Sequence, residues 1–263
     1  MDITTILGVI SGISLIVVAI FMRMGGMGLR GFFDISSIFI TFGGTFAATL
    51  VNYPMKQVLG VFKIAQKVLT EKEEDPAKLI NQFIYFTKIA HKRGILDLEK
   101  ELNKVNNEFL KRGVQLVVDG ADQDRIRTEL ETEITFIRER HRVGQEIFLT
   151  LGTYCPAFGM IGTIMGLIMM LARIEDQSQI AAGMALALLT TFYGAVAGYL
   201  FFLPIAGKLK RRSEDEMFIK EVIIRGVLSL QAGEIPSVME AKLKAYLAPQ
   251  LRKKAAGKKV TPI

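Results

Sequence analysis

The sequence predicts an all-α membrane protein with four transmembrane helices, of which helices 3 and 4 extend into a helical cytoplasmic domain. Three observations carry this. Half of the 263 residues are hydrophobic and the mean hydropathy is positive, too apolar for an ordinary soluble domain. The apolar residues gather into four runs of the length a bilayer core demands, about 20 residues, none with Asp, Glu, Lys or Arg in its interior. Runs three and four each carry their small and polar residues on one face. In the third these are Gly152, Pro156, Gly159, Thr163 and Gly166, which at 3.6 residues per turn fall within an arc of about 80°. In the fourth they are Gly183, Ala187, Thr191, Gly194 and Gly198. A helix facing only lipid has no use for such a stripe. One that packs closely on another helix, or lines a polar passage, does.

Span 1 is placed at Ile3–Met22, and Gly8 and Gly12 give it a GxxxG spacing. Met1-Asp2 lacks a basic leader region, so no cleavable signal peptide is expected. Span 2, Ile35–Val51, is the shortest and needs its flanks to cross; residues 1–53 form the first membrane segment.

Residues 54–146 change from solidly apolar to amphipathic and are expected to form a cytoplasmic helical domain. Val58, Val61, Phe62, Ala65, Val68 and Leu69 repeat at helical spacing, as do Leu79, Ile80, Phe83, Ile84 and Thr87. Gly94 interrupts, and Leu98, Leu102, Val105 and Phe109 resume the face. Asp122 or Asp124 caps a further helix carrying Ile126, Leu130, Ile134 and Ile137.

The second membrane segment, residues 147–206, holds spans 3 (Ile147–Ala172) and 4 (Ile180–Ala206), with further GxxxG spacings at Gly162–Gly166 and Gly194–Gly198. Residues 207–252 return to amphipathic helix through Met217, Ile219, Val222, Ile223, Val227 and Leu228. Glu234-Ile235-Pro236-Ser237 reads as a turn into a short helix ending near Leu247. Residues 253–263, basic and small, form a flexible tail.

Charge sets the orientation. Of 33 Lys and Arg, residues 54–146 carry 17 and residues 207–263 carry 13, whereas the other two links hold only Arg23, Arg30 and Arg173. The positive-inside rule puts both termini and the long middle segment in the cytoplasm. The same rule accounts for the net charge of +7, so nucleic-acid binding is not expected. Cys155 is the only cysteine, which excludes an intrachain disulfide and a cysteine metal cluster. His91 and His141 stand isolated, as surface or packing histidines do. With no phosphate loop, paired-histidine motif or nucleophile elbow, an enzyme is not expected.

Ion carriers that use protons or sodium place a carboxylate inside the membrane, and these spans hold none. Thr163 and Thr191 supply hydroxyls, which can coordinate a small cation but do not titrate usefully. Either the chain moves no ions, or a partner brings the carboxylate and this chain walls it. Pro156 and Pro204 free backbone carbonyls, tolerated only where another helix or water satisfies them. For each proline the alternative is a simple kink, and for each threonine a bond back to its own helix.

Pro156-Ala157-Phe158-Gly159-Met160-Ile161-Gly162-Thr163, then Thr190-Thr191-Phe192-Tyr193-Gly194 and Pro204, resembles the MotA/PomA family of flagellar stator proteins. Gly43-Gly44-Thr45 and Asn52-Tyr53-Pro54 fit it too, as does the order of two spans, long loop, two spans and basic tail; the resemblance covers residues 1–250. It implies a stator subunit of the bacterial flagellar motor in the cytoplasmic (inner) membrane. Several copies, five around two in the family, would surround a MotB/PomB-like single-span partner whose membrane aspartate binds the ion, with no cofactor. Cation flow would drive torque on the rotor protein FliG. On the same resemblance Pro156 and Pro204 match the family's functional prolines. Thr163 and Thr191 match the threonines facing the partner aspartate, with Gly159 and Gly194 on the same ion pathway. The family's rotor contact, an Arg and a Glu eight residues apart, meets Glu99 at the acidic place but His91 at the basic one, with Lys92 and Arg93 following. The cation is Na+ or H+; hydroxyls at both 163 and 191 favour Na+. The nearest alternative is an ExbB/TolQ-like energiser of envelope processes, whose members have three spans and an external N-terminus. A scaffold that moves no ions explains the GxxxG spacings but not why hydroxyls and prolines share a face.

Overall fold

The computed structural model describes residues 3–61 and 74–246, and among these there are helices and no strands. Four helical stretches are long and apolar enough to cross a membrane: Thr4–Arg23, Leu29–Asn52, Gln123–Ala172 and Gln177–Gln231. Helices 3 and 4 do run far beyond their apolar parts. Gln123–Ala172 is one helix of 50 residues, about 75 Å at 1.5 Å per residue and more than twice a bilayer core. The fourth runs as helix from Gln177 to Gln231 through a widened π turn at Val196–Phe202.

The chain divides into two compact units: the described residues of 1–71 and 141–212, and those of 72–140 and 213–263. The border after residue 71 lies eighteen residues beyond the boundary read at 53/54, while 140/141 and 212/213 each lie six residues from the boundaries read at 146/147 and 206/207. The long helices cross those boundaries without a break in backbone hydrogen bonding, so apolar composition and compact packing change at different residues.

In the membrane unit, span 2 begins at Asp34, whose carboxylate accepts from the Ser37 amide (2.7 Å) and hydroxyl (2.6 Å) in an N-cap. Ser37, Thr41, Thr45 and Thr49, spaced every four residues, are all buried, so span 2 turns a hydroxyl stripe inward. Thr45 and Thr49 donate to the carbonyls of Thr41 and Thr45, at 2.6 and 2.7 Å, and Thr41 donates across to the Thr190 carbonyl at 3.3 Å. A π turn at Phe39–Gly43 interrupts the span within this stripe. Span 1 is the least covered, with Gly12 lying against Leu200 of span 4. At the other end of span 2, Asn52 donates to the Tyr154 hydroxyl at 2.8 Å. Helix resumes at 55–61, and Val58 and Val61 are buried as expected. The remainder of that expected face (Phe62, Ala65, Val68, Leu69), the tail at 253–263 and Leu247 lie outside the described residues.

The second unit has its own core. Pro76–Arg93 starts on an Asp75 cap with proline in its first turn and buries Leu79, Ile80, Phe83, Ile84, Phe86, Thr87 and Ile89. Gly94 then takes φ +90°, open to glycine and strained for other residues. The face expected to run unbroken from Leu98 to Phe109 is split instead. A short helix, Leu98–Leu102, ends, and a new one, Glu108–Val118, begins where the Asn107 side chain accepts from the Leu110 amide at 2.9 Å. All four expected apolar residues are buried; a local side-chain bond won over helix continuity. Asp122 supplies the next cap, to the Arg125 amide at 2.7 Å, and Ile126, Leu130 and Ile134 enter the core beside Val222, Ile223 and Val227. Pro236–Ala245 closes the unit with Met239 and Leu243.

Candidate functional site

The two small-residue stripes meet each other. A methyl group at Gly159 would lie 2.8 Å from the Thr190 carbonyl oxygen and 3.2 Å from Thr191 Cα; at Gly194 it would lie 2.6 Å from the Cys155 oxygen. Gly166 and Gly183 seat the same way, each against the backbone of the opposite helix. Spans 3 and 4 therefore touch backbone to backbone along an antiparallel seam, which no residue with a side chain permits at these points. Cys155 is fully buried in that seam.

Pro156 has a seat of its own. Its missing N–H leaves the Gly152 carbonyl without its helical donor, and Gly198 lies over both: a methyl group there would meet the Pro156 ring at 2.8 Å and the Gly152 oxygen at 2.9 Å. Gly198 falls within the widened turn Val196–Phe202, which ends two residues before Pro204, the next residue unable to donate.

Thr163 and Thr191 combine the two roles open to them. Thr163 Oγ1 lies 3.1 Å from the Gly159 carbonyl, one turn back in its own helix, and 3.2 Å from Ala187 O across the seam. Thr191 Oγ1 mirrors it, 3.1 Å from Ala187 O and 3.5 Å from Gly159 O. The hydroxyls also bond one another. Two hydroxyls carry two protons, so this cluster of four oxygens retains acceptor lone pairs after its internal bonds are made. Thr163 is half-buried and Thr191 exposed, so the cluster opens at the edge of the seam. It carries no formal charge, and among the described residues no group of His, Cys, Asp or Glu is placed to hold a metal ion. Such oxygens can solvate a small cation but cannot neutralise it.

Of the six residues assigned to the ion pathway, the structure brings five together: Pro156, Gly159 and Thr163 from one helix, Thr191 and Gly194 from the other. Pro204 is not among them. It follows Leu203, which covers Gly152, but its ring is exposed, thirteen residues or about 20 Å along the helix from Thr191. Sequence reasoning missed two neighbours of the seam. One is the buried stripe Ser37, Thr41, Thr45 and Thr49, whose four-residue period is visible in the sequence. The other is Tyr193, whose hydroxyl donates to the Phe32 carbonyl at 2.5 Å and accepts from the Asp34 amide at 3.0 Å, clasping the start of span 2 to span 4. No pattern signals that pairing across 159 residues.

In the second unit His91, Lys92, Arg93 and Glu99 are all exposed. His91 Nε2 lies 3.0 Å from the Glu234 carbonyl, and Arg93 pairs with Asp97 at 3.5 Å. Hydrogen bonding from Lys100, at 2.6 Å, holds the Asp97 carboxyl below its usual range, with the charges of Lys100 and Arg93 assisting. Gly94 turns the chain between the basic run and Glu99, so opposite charges lie on either side of one bend.

Residues 101–221 match the model of the MotA/TolQ/ExbB proton channel family. The chain is 40% identical to chemotaxis protein PomA of Vibrio alginolyticus over 94% of its own length and 96% of that protein's. The chain belongs to this family, on its motility branch. Motility protein A of Treponema pallidum is 36% identical, with 96% of each chain covered. The flagellar MotAB stator complex from Bacillus subtilis contains a chain that superposes with a TM-score of 0.87 at 31% identity, covering 95% of this chain and 98% of that one. Membership of the MotA branch fits the all-helical, four-span architecture already described, and these two relatives, similar along nearly the whole chain, carry chemotaxis and motility names.

Proposed function

We propose that this chain is a stator subunit of the bacterial flagellar motor, coupling cation flow to torque. The observation that carries the reading is the oxygen cluster of Thr163, Thr191, Gly159 O and Ala187 O, open at one edge and without a charge of its own. A cation crossing an apolar region needs a counter-charge, so the carboxylate comes from outside the chain. A MotB/PomB-like single-span partner bearing a membrane aspartate supplies it, and several copies of this chain, five around two partners, surround it. Thr163 and Thr191 strip and replace water around the ion as it reaches that aspartate. The glycines and Pro156 hold the two helices close enough for both hydroxyls to act at one height, and Pro204 marks the inner end of the same helix. Two hydroxyls on each copy favour Na+ over H+, because a dehydrating cation needs oxygen ligands and a proton does not.

The basic link segments support a reading in which both termini and the second unit are cytoplasmic and the membrane is the inner membrane. His91, Lys92, Arg93 and Glu99 then present alternating charge to the rotor protein FliG, which steers docking without demanding a tight complex. Nothing in this reading requires a bound cofactor or a chemical reaction.

The test is swimming and flagellation in a strain lacking the gene, with and without complementation. Assembled but paralysed flagella, rescued by the intact gene, support the stator reading. Normal swimming in a strain with no second stator set overturns it in favour of an envelope energiser of the ExbB/TolQ kind.

A further inference from the structure

Ala187 O, one of the four oxygens of the open cluster, serves a third hydroxyl as well. Thr190 Oγ1 lies 3.1 Å from it and 2.9 Å from Leu186 O, and Thr190 is fully buried behind the exposed Thr191. A carbonyl oxygen has two lone pairs, and the helical amide of Thr191 claims one of those on Ala187 O. Three hydroxyls therefore compete for the other, so what Thr190 does decides what Thr163 and Thr191 find there. Gly162 makes the room for it: a methyl group at 162 would meet Cβ, Cγ2 and Oγ1 of Thr190 at 2.5 Å.

Span 2 reaches this residue from the buried side. Thr41 stands at the centre of the π turn Phe39–Gly43. Its neighbours in the stripe, Thr45 and Thr49, bond back to the carbonyl four residues earlier, but Thr41 donates across to Thr190 O at 3.3 Å. Thr190 O is also the atom a methyl at Gly159 would meet, so it marks a point of close approach between spans 3 and 4. One turn along from Thr41, Gly44 seats on Phe158, where an added carbon would overlap the ring. Span 2 thus touches both helices of the seam at the height of Gly159. A bond of 3.3 Å stabilises the fold little beyond what a valine of similar shape would. Its use lies in where it is aimed.

We propose that Thr41 is a positioning residue for the cation: through Thr190 it fixes the turn of span 4 on which Thr163 and Thr191 share Ala187 O. Thr41 itself touches no ion. With Thr190 O held from span 2, the turn from Ala187 to Thr191 keeps its orientation. The Thr190 hydroxyl then stays on Leu186 O, the nearer of its two acceptors, and Ala187 O remains open to the pair. The inference rests on the stator reading, and adds the residue that sets how firmly the cluster holds its ion.

Thr41→Val tests it in a strain lacking the native gene, with swimming speed measured against the driving cation, Na+ at fixed pH or H+ at fixed Na+. The concentration for half-maximal speed should rise about threefold, the size of one modest hydrogen bond. Maximal speed, the amount of protein in the membrane and the midpoint of detergent thermal unfolding should stay as they were. Thr41→Ser keeps the hydroxyl and should restore the native curve. In a Thr163→Ala background Thr41→Val should add little, because the pair it positions is already broken. A curve unmoved by Thr41→Val overturns the proposal. So does a fall in protein and maximal speed at unchanged half-saturation, which is what packing alone predicts. A shift that simply multiplies that of Thr163→Ala overturns it as well. Thr41→Ala, which needs less room, carries the same outcomes if the valine variant fails to insert. Failure of the unaltered gene to support swimming removes the stator reading and this inference with it, a result that no Thr41 variant can produce.

Discussion

Thr163 and Thr191 share a hydrogen bond across the seam between spans 3 and 4, each also within reach of the Gly159 and Ala187 carbonyls. The pair exists because glycine at 159 and 194 lets the two backbones touch. Replacing a hydroxyl should therefore alter the oxygen cluster while leaving the helices in place. Thr163→Ala removes one ligand, worth about 1 kcal/mol, and should raise the sodium concentration for half-maximal swimming speed about fivefold. Speed measured against external sodium checks this; an unchanged curve would count against a sodium role for the pair.

The seam itself is tested by adding one carbon. Gly159→Ala forces a methyl to within 2.8 Å of the Thr190 oxygen, against backbone that cannot swing aside. The expected cost is about 1–3 kcal/mol, read as a lowered midpoint in detergent thermal unfolding. Gly207→Ala, with nothing within 4 Å of the added carbon, should be neutral or stabilising, by up to about 1 kcal/mol from helix propensity.

Tyr193→Phe keeps the ring, which lies beside Phe192, but removes the hydroxyl between Phe32 O and the Asp34 amide. The loss should be about 1–2 kcal/mol and local, seen as faster amide exchange at 32–38 with spans 3 and 4 unchanged. Equal exchange in the variant would show that the Asp34 cap alone sets the start of span 2.

Acid should release the last helix. Glu234 is held below its usual pKa first by its hydrogen bond from Lys242, then by Ser229 and the Lys242 charge, against some desolvation. A lowered folded pKa means the contribution is full above the unfolded value, about 4.3, and fades as pH falls through the lower folded value. Exchange of amides in Pro236–Ala245 should thus rise on going from pH 5 toward pH 3, once intrinsic rates are corrected. Glu234→Gln should remove that pH dependence.

The basic run is read by charge. Neutralising Lys92 and Arg93 together should slow swimming without lowering the protein in the membrane, and His91→Arg should be tolerated. Paralysis by a charge-reversed Glu99, relieved by a compensating change in the rotor protein, would tie the bend at Gly94 to docking.

How much of this could be read from the chain follows from the range of the forces involved. Burial in lipid acts on each residue by type, so the four spans and the absence of an internal carboxylate were legible from composition alone. Helical periodicity is a local property, and it placed Gly152 to Gly166 and Gly183 to Gly198 on one face each. Caps at Asp34 and Asn107 are local as well, yet the break between Leu102 and Glu108 was missed, because four apolar residues at regular spacing mask a competing side-chain bond.

By itself, then, the sequence determined which residues share a helix face, which helices are apolar enough to cross, and where the charge lies. Only the tertiary structure decided what each face meets. The stripes of spans 3 and 4 close on one another, the hydroxyl row of span 2 turns inward to Thr190, and Tyr193 reaches Asp34 across 159 residues. Those pairings depend on which backbones can approach within contact distance, a condition set jointly by residues far apart in the chain and written at no single position of it.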